Sequence, residues 1–152
     1  MAVLRSEAPG VLAATRAARR RVRWVGRIPL AGEILIAYLQ TRRALATAPI
    51  NVVLARLRAP PRTRPRPAED PLAQARHLAS AVVRTLALVP GDTRCLARSL
   101  VLTRLLARRG IPATLVIGTR TVPDFGAHAW VEYSGRAVLA PGDESFSRLV
   151  EL

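Results

Sequence analysis

The stretch CLARSLVLTRLLARRG, residues 95–110, contains the chain's one cysteine, and its reading decides the fold. Leu96, Leu100, Val101, Leu102, Leu105 and Leu106 point in most directions around a helical axis, and a helix apolar nearly all round is a central, buried one. Asp92 or Thr93 stands where a cap is needed, and Gly110 and Pro112 end the segment. Cys95 then falls in the first turn, where unpaired amides and the positive end of the helix dipole favour a thiolate. These residues alone leave Cys95 open between a small buried hydrophobe and a nucleophile.

Upstream, Asp70 followed by Pro71 is a strong helix start, a side-chain acceptor followed by a ring already held at the helical dihedral. Leu72, Ala75, Leu78, Ala79, Val82, Val83 and Leu86 recur at helical spacing, and Pro90 and Gly91 close that helix. Residues 59–67, APPRTRPRP, lack the amide donors that a helix or central strand needs and read as an extended linker. Before them, Pro29 opens a helix carrying Leu30, Ile34, Ile36, Ala37 and Leu39 that ends in the polar turn from Gln40 to Arg43. A second short helix follows over Ile50 to Leu57. The expected division is a basic helical region over 1–68 and a second domain over 69–152.

Downstream the pattern changes to strands. ATLVIGT at 113–119 is a β-rich run, and AHAWVEY at 127–133 passes through Ser134 and Gly135 into RAVLA at 136–140, the pattern of an antiparallel hairpin. Helices first and an antiparallel sheet after make an α+β arrangement.

Composition narrows the function classes. The 152 residues suit one domain of ordinary size, and a single cysteine cannot form an internal bridge, so a reducing cytoplasm is the simpler expectation. The apolar window IPLAGEILIAYLQ contains Glu33 and is shorter than a membrane span. The net charge of +14 is concentrated upstream, with +12 in residues 1–68 and +2 in residues 69–152. No lysine occurs among the 24 basic residues, which suggests a GC-rich coding sequence as much as selection for an anion. Only Trp24 and Tyr38 provide aromatics in that half, too few for the stacking platforms of a nucleic-acid binder. A nucleic-acid role is therefore not expected, and membrane contact would be peripheral at most.

A thiol nucleophile needs a base. His128 is one of two histidines, the other being His77, mid-helix with no partner in view. Alternation places His128, Trp130 and Glu132 on one strand face and Ala127, Ala129, Val131 and Tyr133 on the other. A buried helix beginning with cysteine and packed against a sheet that presents histidine is the arrangement a thiol–imidazole pair requires. One cysteine and two distant histidines do not form a metal ligand set, and no cofactor is implied.

CLARSLVLTRLLARRGIPATLVIG followed by FGAHAWVEYSGRAVL resembles the transglutaminase-like cysteine protease domain of the B proteins of lasso-peptide biosynthesis. The shared residues are Cys95, Leu96, Arg98, Ser99, Leu100, Gly110, Ile117 with Gly118, and His128 to Glu132, and the similarity covers roughly residues 70–145. The resemblance implies a papain-like α+β core in which Cys95 is the nucleophile and His128 the base. It also implies removal of a leader peptide from a ribosomally made precursor.

The chain departs from that family in two places. Twelve residues after the histidine, where the family carries an orienting acid, stands Ala140. Asp143 is the nearest replacement, with Glu132 and Asp124 as weaker candidates. Single-chain members begin with a β-containing, winged-helix-like domain that grips the leader, whereas residues 1–68 show no alternating strand pattern. The chain thus looks like the protease half of a split pair, with a separate leader-recognition protein as partner. An ATP-using cyclase similar to asparagine synthetase would follow it. The arginines from Arg16 to Arg27, with Trp24, are then either docking surface for that partner or an acidic leader, or a solvated basic face. A catalytically weak or inactive precursor-binding member, for which Ala140 argues, and an acyl transferase are the alternative readings.

Overall fold

The computed structural model describes residues 27–58, 69–90, 95–121, 125–139 and 146–152. Helix α1 spans Arg27–Thr47, with Pro29 in its first turn, where a missing amide hydrogen costs no hydrogen bond. Its core face is Ile34, Ala37, Tyr38 and Thr41, a strict three-and-four spacing. Ile36 and Leu39, also carried by this helix, are 55% and 64% exposed because they lie off this stripe. The helix also continues past Arg43. Ala44 and Leu45 propagate it, and Pro49 breaks the run before the amides of Val52 and Val53 turn to the Pro49 carbonyl to start α2, Ile50–Arg58.

Helix α3, Pro71–Leu86, starts as its sequence requires: Asp70 is extended, and its carboxylate accepts from the Ala73 amide at 2.9 Å. Helix α4, Cys95–Arg108, is the central element and buries Ser99, Leu100, Val101, Leu102, Thr103, Leu105 and Leu106. It touches α1, α2, α3, β1 and β2. Gly110, at a φ of 68°, ends it: the Ile111 amide reaches back to Leu106 and the Gly110 amide to Ala107. This is the two-bond closure that a left-handed residue permits. Arg109 and Arg108 at this end reach Glu33 of α1 at 2.7 and 3.7 Å, tying the two helices together.

The strands are β1 (Thr114–Arg120), β2 (Gly126–Tyr133), β3 (Arg136–Leu139) and β4 (Ser147–Glu151), antiparallel in the order β3-β2-β1-β4. Ser134 and Gly135, both with positive φ, form the two-residue turn whose twist matches a β2–β3 hairpin. The last strand returns to the far edge and pairs with β1, and Leu115 and Leu152 exchange both backbone bonds.

One sheet face carries Leu115, Ala129, Val131 and Val138 into a core shared with Ile34, Val53, Leu78, Val82 and the α4 leucines. The helices before residue 59 and those after residue 69 therefore bury their apolar faces together. Among the described residues the fold is α+β, four helices against a four-stranded antiparallel sheet. No described helix is long and apolar enough to cross a membrane.

Candidate active site

Cys95 is the first residue of α4 and is half-buried. Residues 91–94, including the capping candidates Asp92 and Thr93, lie outside the described residues. One turn further along the same helix face, the buried Ser99 hydroxyl donates to the Ala129 carbonyl on β2 at 2.9 Å. Its own carbonyl accepts from the Thr103 hydroxyl, also at 2.9 Å. The β2–β3 register runs from Tyr133↔Arg136 to Val131↔Leu139, so Ala129 lies beyond it. There the helix reaches the strand's carbonyl through Ser99. The cysteine-bearing turn is thereby fixed against the strand next to His128.

His128 pairs across the sheet with Gly118. It belongs to the row opposite Ala129 and Val131, so it joins the outer sheet layer and not the helix-packed core. Its imidazole is in contact with two aromatic rings. Trp130 is stacked at 6.4 Å with 21° between planes, and Phe146 is tilted at 5.3 Å. Among the described residues no hydrogen bond joins Cys95 to His128. The structure brings the two motifs together through their neighbours Ser99 and Ala129.

The outer layer is held by one carboxylate. Glu132, 6% exposed, accepts from Trp130 Nε1 at 2.9 Å and from Arg148 Nη2 at 2.7 Å. Arg148 also donates to Glu151 at 2.6 Å. The hydrogen bond to Glu151 first, then the charge of Glu132, raise the Arg148 pKa above its ordinary value. Glu132 sits four residues from His128, about 13 Å along the strand, so it serves the indole and not the imidazole. Gly118 is the floor beneath that indole: a Cβ there would lie 2.8 Å from the Trp130 ring and 2.8 Å from the Ser147 carbonyl.

Asp143, Asp124 and Ala140 lie outside the described residues. His77 is on an exposed part of α3, where it lines a shallow cavity with Leu30, Ile34 and Arg84, away from this site. Phe146 and Arg148 were not legible as site residues, because nothing in SRLVE alternates and its five residues are all exposed. Ser99 had a signal, one helical turn after the cysteine, but its partner on another element did not.

A helix that opens on cysteine, pinned by Ser99 to the strand that bears histidine and packed on a four-stranded antiparallel sheet, defines an α+β protein. The chain belongs to the transglutaminase-like superfamily, whose family model matches residues 35–151. The matched span begins inside α1 and takes in every later element. Cysteine-protease and acyltransferase chemistries are common in that superfamily. Comparison with curated proteins and with solved structures gives no significant match.

Proposed function

We propose that this protein is a cysteine peptidase that removes the leader from a lasso-peptide precursor, acting with a separate leader-recognition protein. The observation that carries this reading is the Ser99–Ala129 bond. It joins the two sequence motifs, Cys95 to Leu100 and His128 to Glu132, on which the resemblance rests.

In this reading Cys95 Sγ attacks the carbonyl at the leader–core junction, and a C–S bond forms as the tetrahedral intermediate appears. Amides at the start of α4 point where the negative charge develops. Collapse breaks the C–N bond while the imidazolium of His128 protonates the departing amine of the core. His128 then deprotonates water, which attacks the acyl-enzyme, releases the leader as a carboxylic acid and returns the thiolate. Asp143 orients the imidazole. A preformed thiolate–imidazolium pair depends less on that acid than a serine triad does, since attack needs no simultaneous proton removal from the nucleophile. The freed core amine is the substrate for an ATP-dependent cyclase similar to asparagine synthetase.

The test mixes this protein, its recognition partner and the precursor, and follows products by mass spectrometry. A leader-length fragment is expected with the wild type and none with Cys95→Ala. A fragment persisting in the variant, or absent from the wild type, overturns the proposal. Added amine appearing on the leader C-terminus in preference to water would reassign the protein as an acyl transferase.

A further inference from the structure

The outer face of the sheet contains a buried carboxylate that the proposed chemistry does not use. Glu132 is almost fully enclosed, yet its bonds go to Trp130 and Arg148 and not to the imidazole. Burying a charge on a sheet layer outside the helix-packed core is costly unless it is paired and hydrogen-bonded, and here both conditions are met by residues that surround His128. Trp130 stacks on the imidazole. Arg148, from β4, lies across from Gly118, the residue that also pairs with His128. Phe146, just before β4, lies 5.3 Å from the imidazole and 5.2 Å from the Arg120 guanidinium.

We propose that Glu132 is a positioning residue for His128: with Arg148 it locks the Trp130 indole, and the locked indole fixes the plane of the imidazole. The physical need is specific. An imidazole can rotate about two side-chain bonds, and a base displaced by an ångström loses much of its rate advantage. A ring stacked on a fixed indole is held near that indole's plane. An indole held by its N–H cannot slide along the strand, and Gly118 leaves no Cβ to lift it. β4 thereby reaches the site through Glu132 without touching the imidazole by a charge of its own.

The inference rests on His128 being the partner of Cys95, and the experiment separates the two ideas. The full chain is labelled at its two histidines, and the ring signals of His128, assigned with His128→Ala, are followed by NMR. Cys95 alkylation by iodoacetamide is measured in parallel. Glu132→Ala is expected to shift the His128 ring signals and to slow alkylation about tenfold. Glu132→Gln, whose amide oxygen still accepts from the indole N–H, should stay within about twofold of wild type. Trp130→Phe removes only the N–H anchor and part of the ring, and should move both readouts in the direction of Glu132→Ala even if that variant folds poorly.

Unchanged ring signals in Trp130→Phe, or a Glu132→Gln variant indistinguishable from Glu132→Ala, overturn the positioning role. Unchanged alkylation in His128→Ala removes the thiol–imidazole pair instead, while the ring signals still report on positioning.

Discussion

The Ser99 hydroxyl and the Ala129 carbonyl, thirty residues apart in sequence, meet in a buried hydrogen bond of 2.9 Å. It joins the first turns of the cysteine helix to the histidine strand at the point where β2 runs past the described β3 register. Ser99→Ala would leave that carbonyl buried without its donor, at a cost of about 1–3 kcal/mol. Urea unfolding checks the stability term. The same variant should lose about tenfold in leader cleavage, since the turn bearing Cys95 is no longer pinned. A stable variant cleaving at the wild-type rate would show that the bond serves folding alone.

Gly118 admits no side chain. In Gly118→Ala the new methyl meets the Trp130 ring on one side and the Ser147 backbone on the other, both at 2.8 Å, and the backbone cannot swing away. Overpacking of this kind costs about 1–3 kcal/mol. Thermal unfolding should show a lowered midpoint; an unchanged one means that Trp130 has room to move.

Glu33 ties the start of α1 to the end of α4 through Arg109 and Arg108. Its side chain and that of Arg109 are 28% and 25% exposed, so water and salt screen the pair. Glu33→Gln is therefore expected to cost about 1 kcal/mol or less in dilute buffer and less still in high salt. Urea titrations at two ionic strengths measure this. A cost of several kcal/mol independent of salt would mean the pair is effectively buried.

Asp143 is the nearest acid to the position where relatives in the resemblance carry one. Asp143→Asn should slow leader cleavage measurably while leaving Cys95 open to alkylation. A wild-type rate removes Asp143 from the mechanism.

Removal of residues 1–26 takes away the arginine cluster but spares α1, which begins at Arg27. The shortened chain should bind the recognition partner more weakly in a calorimetric titration and still alkylate normally at Cys95. Unchanged binding would retire the docking role of the cluster.

Much of the helical half was legible because its signals are local. Asp70 and Pro71 start α3, and Gly110 ends α4, through bonds that span three to five residues. The Ser134–Gly135 turn closes its hairpin for the same reason. What stayed open is decided elsewhere: Ile36 and Leu39 are apolar, yet the face that α1 buries, Ile34, Ala37 and Tyr38, is set by its packing on α3 and α4. β4 carried no periodic pattern at all. It is a strand because β1 offers an edge, and backbone pairing asks little of side chains.

By itself, then, the sequence determined the helices in outline, the Asp70 cap, the Gly110 stop, the hairpin and the placing of one cysteine at the head of an apolar helix. These depend on interactions within a turn or two of chain. Tertiary structure alone decided that Ser99 would meet Ala129, that β4 would return beside β1, and that His128 would meet Phe146. Those contacts join residues on different elements, and only the burial of a common core brings such elements within bonding distance.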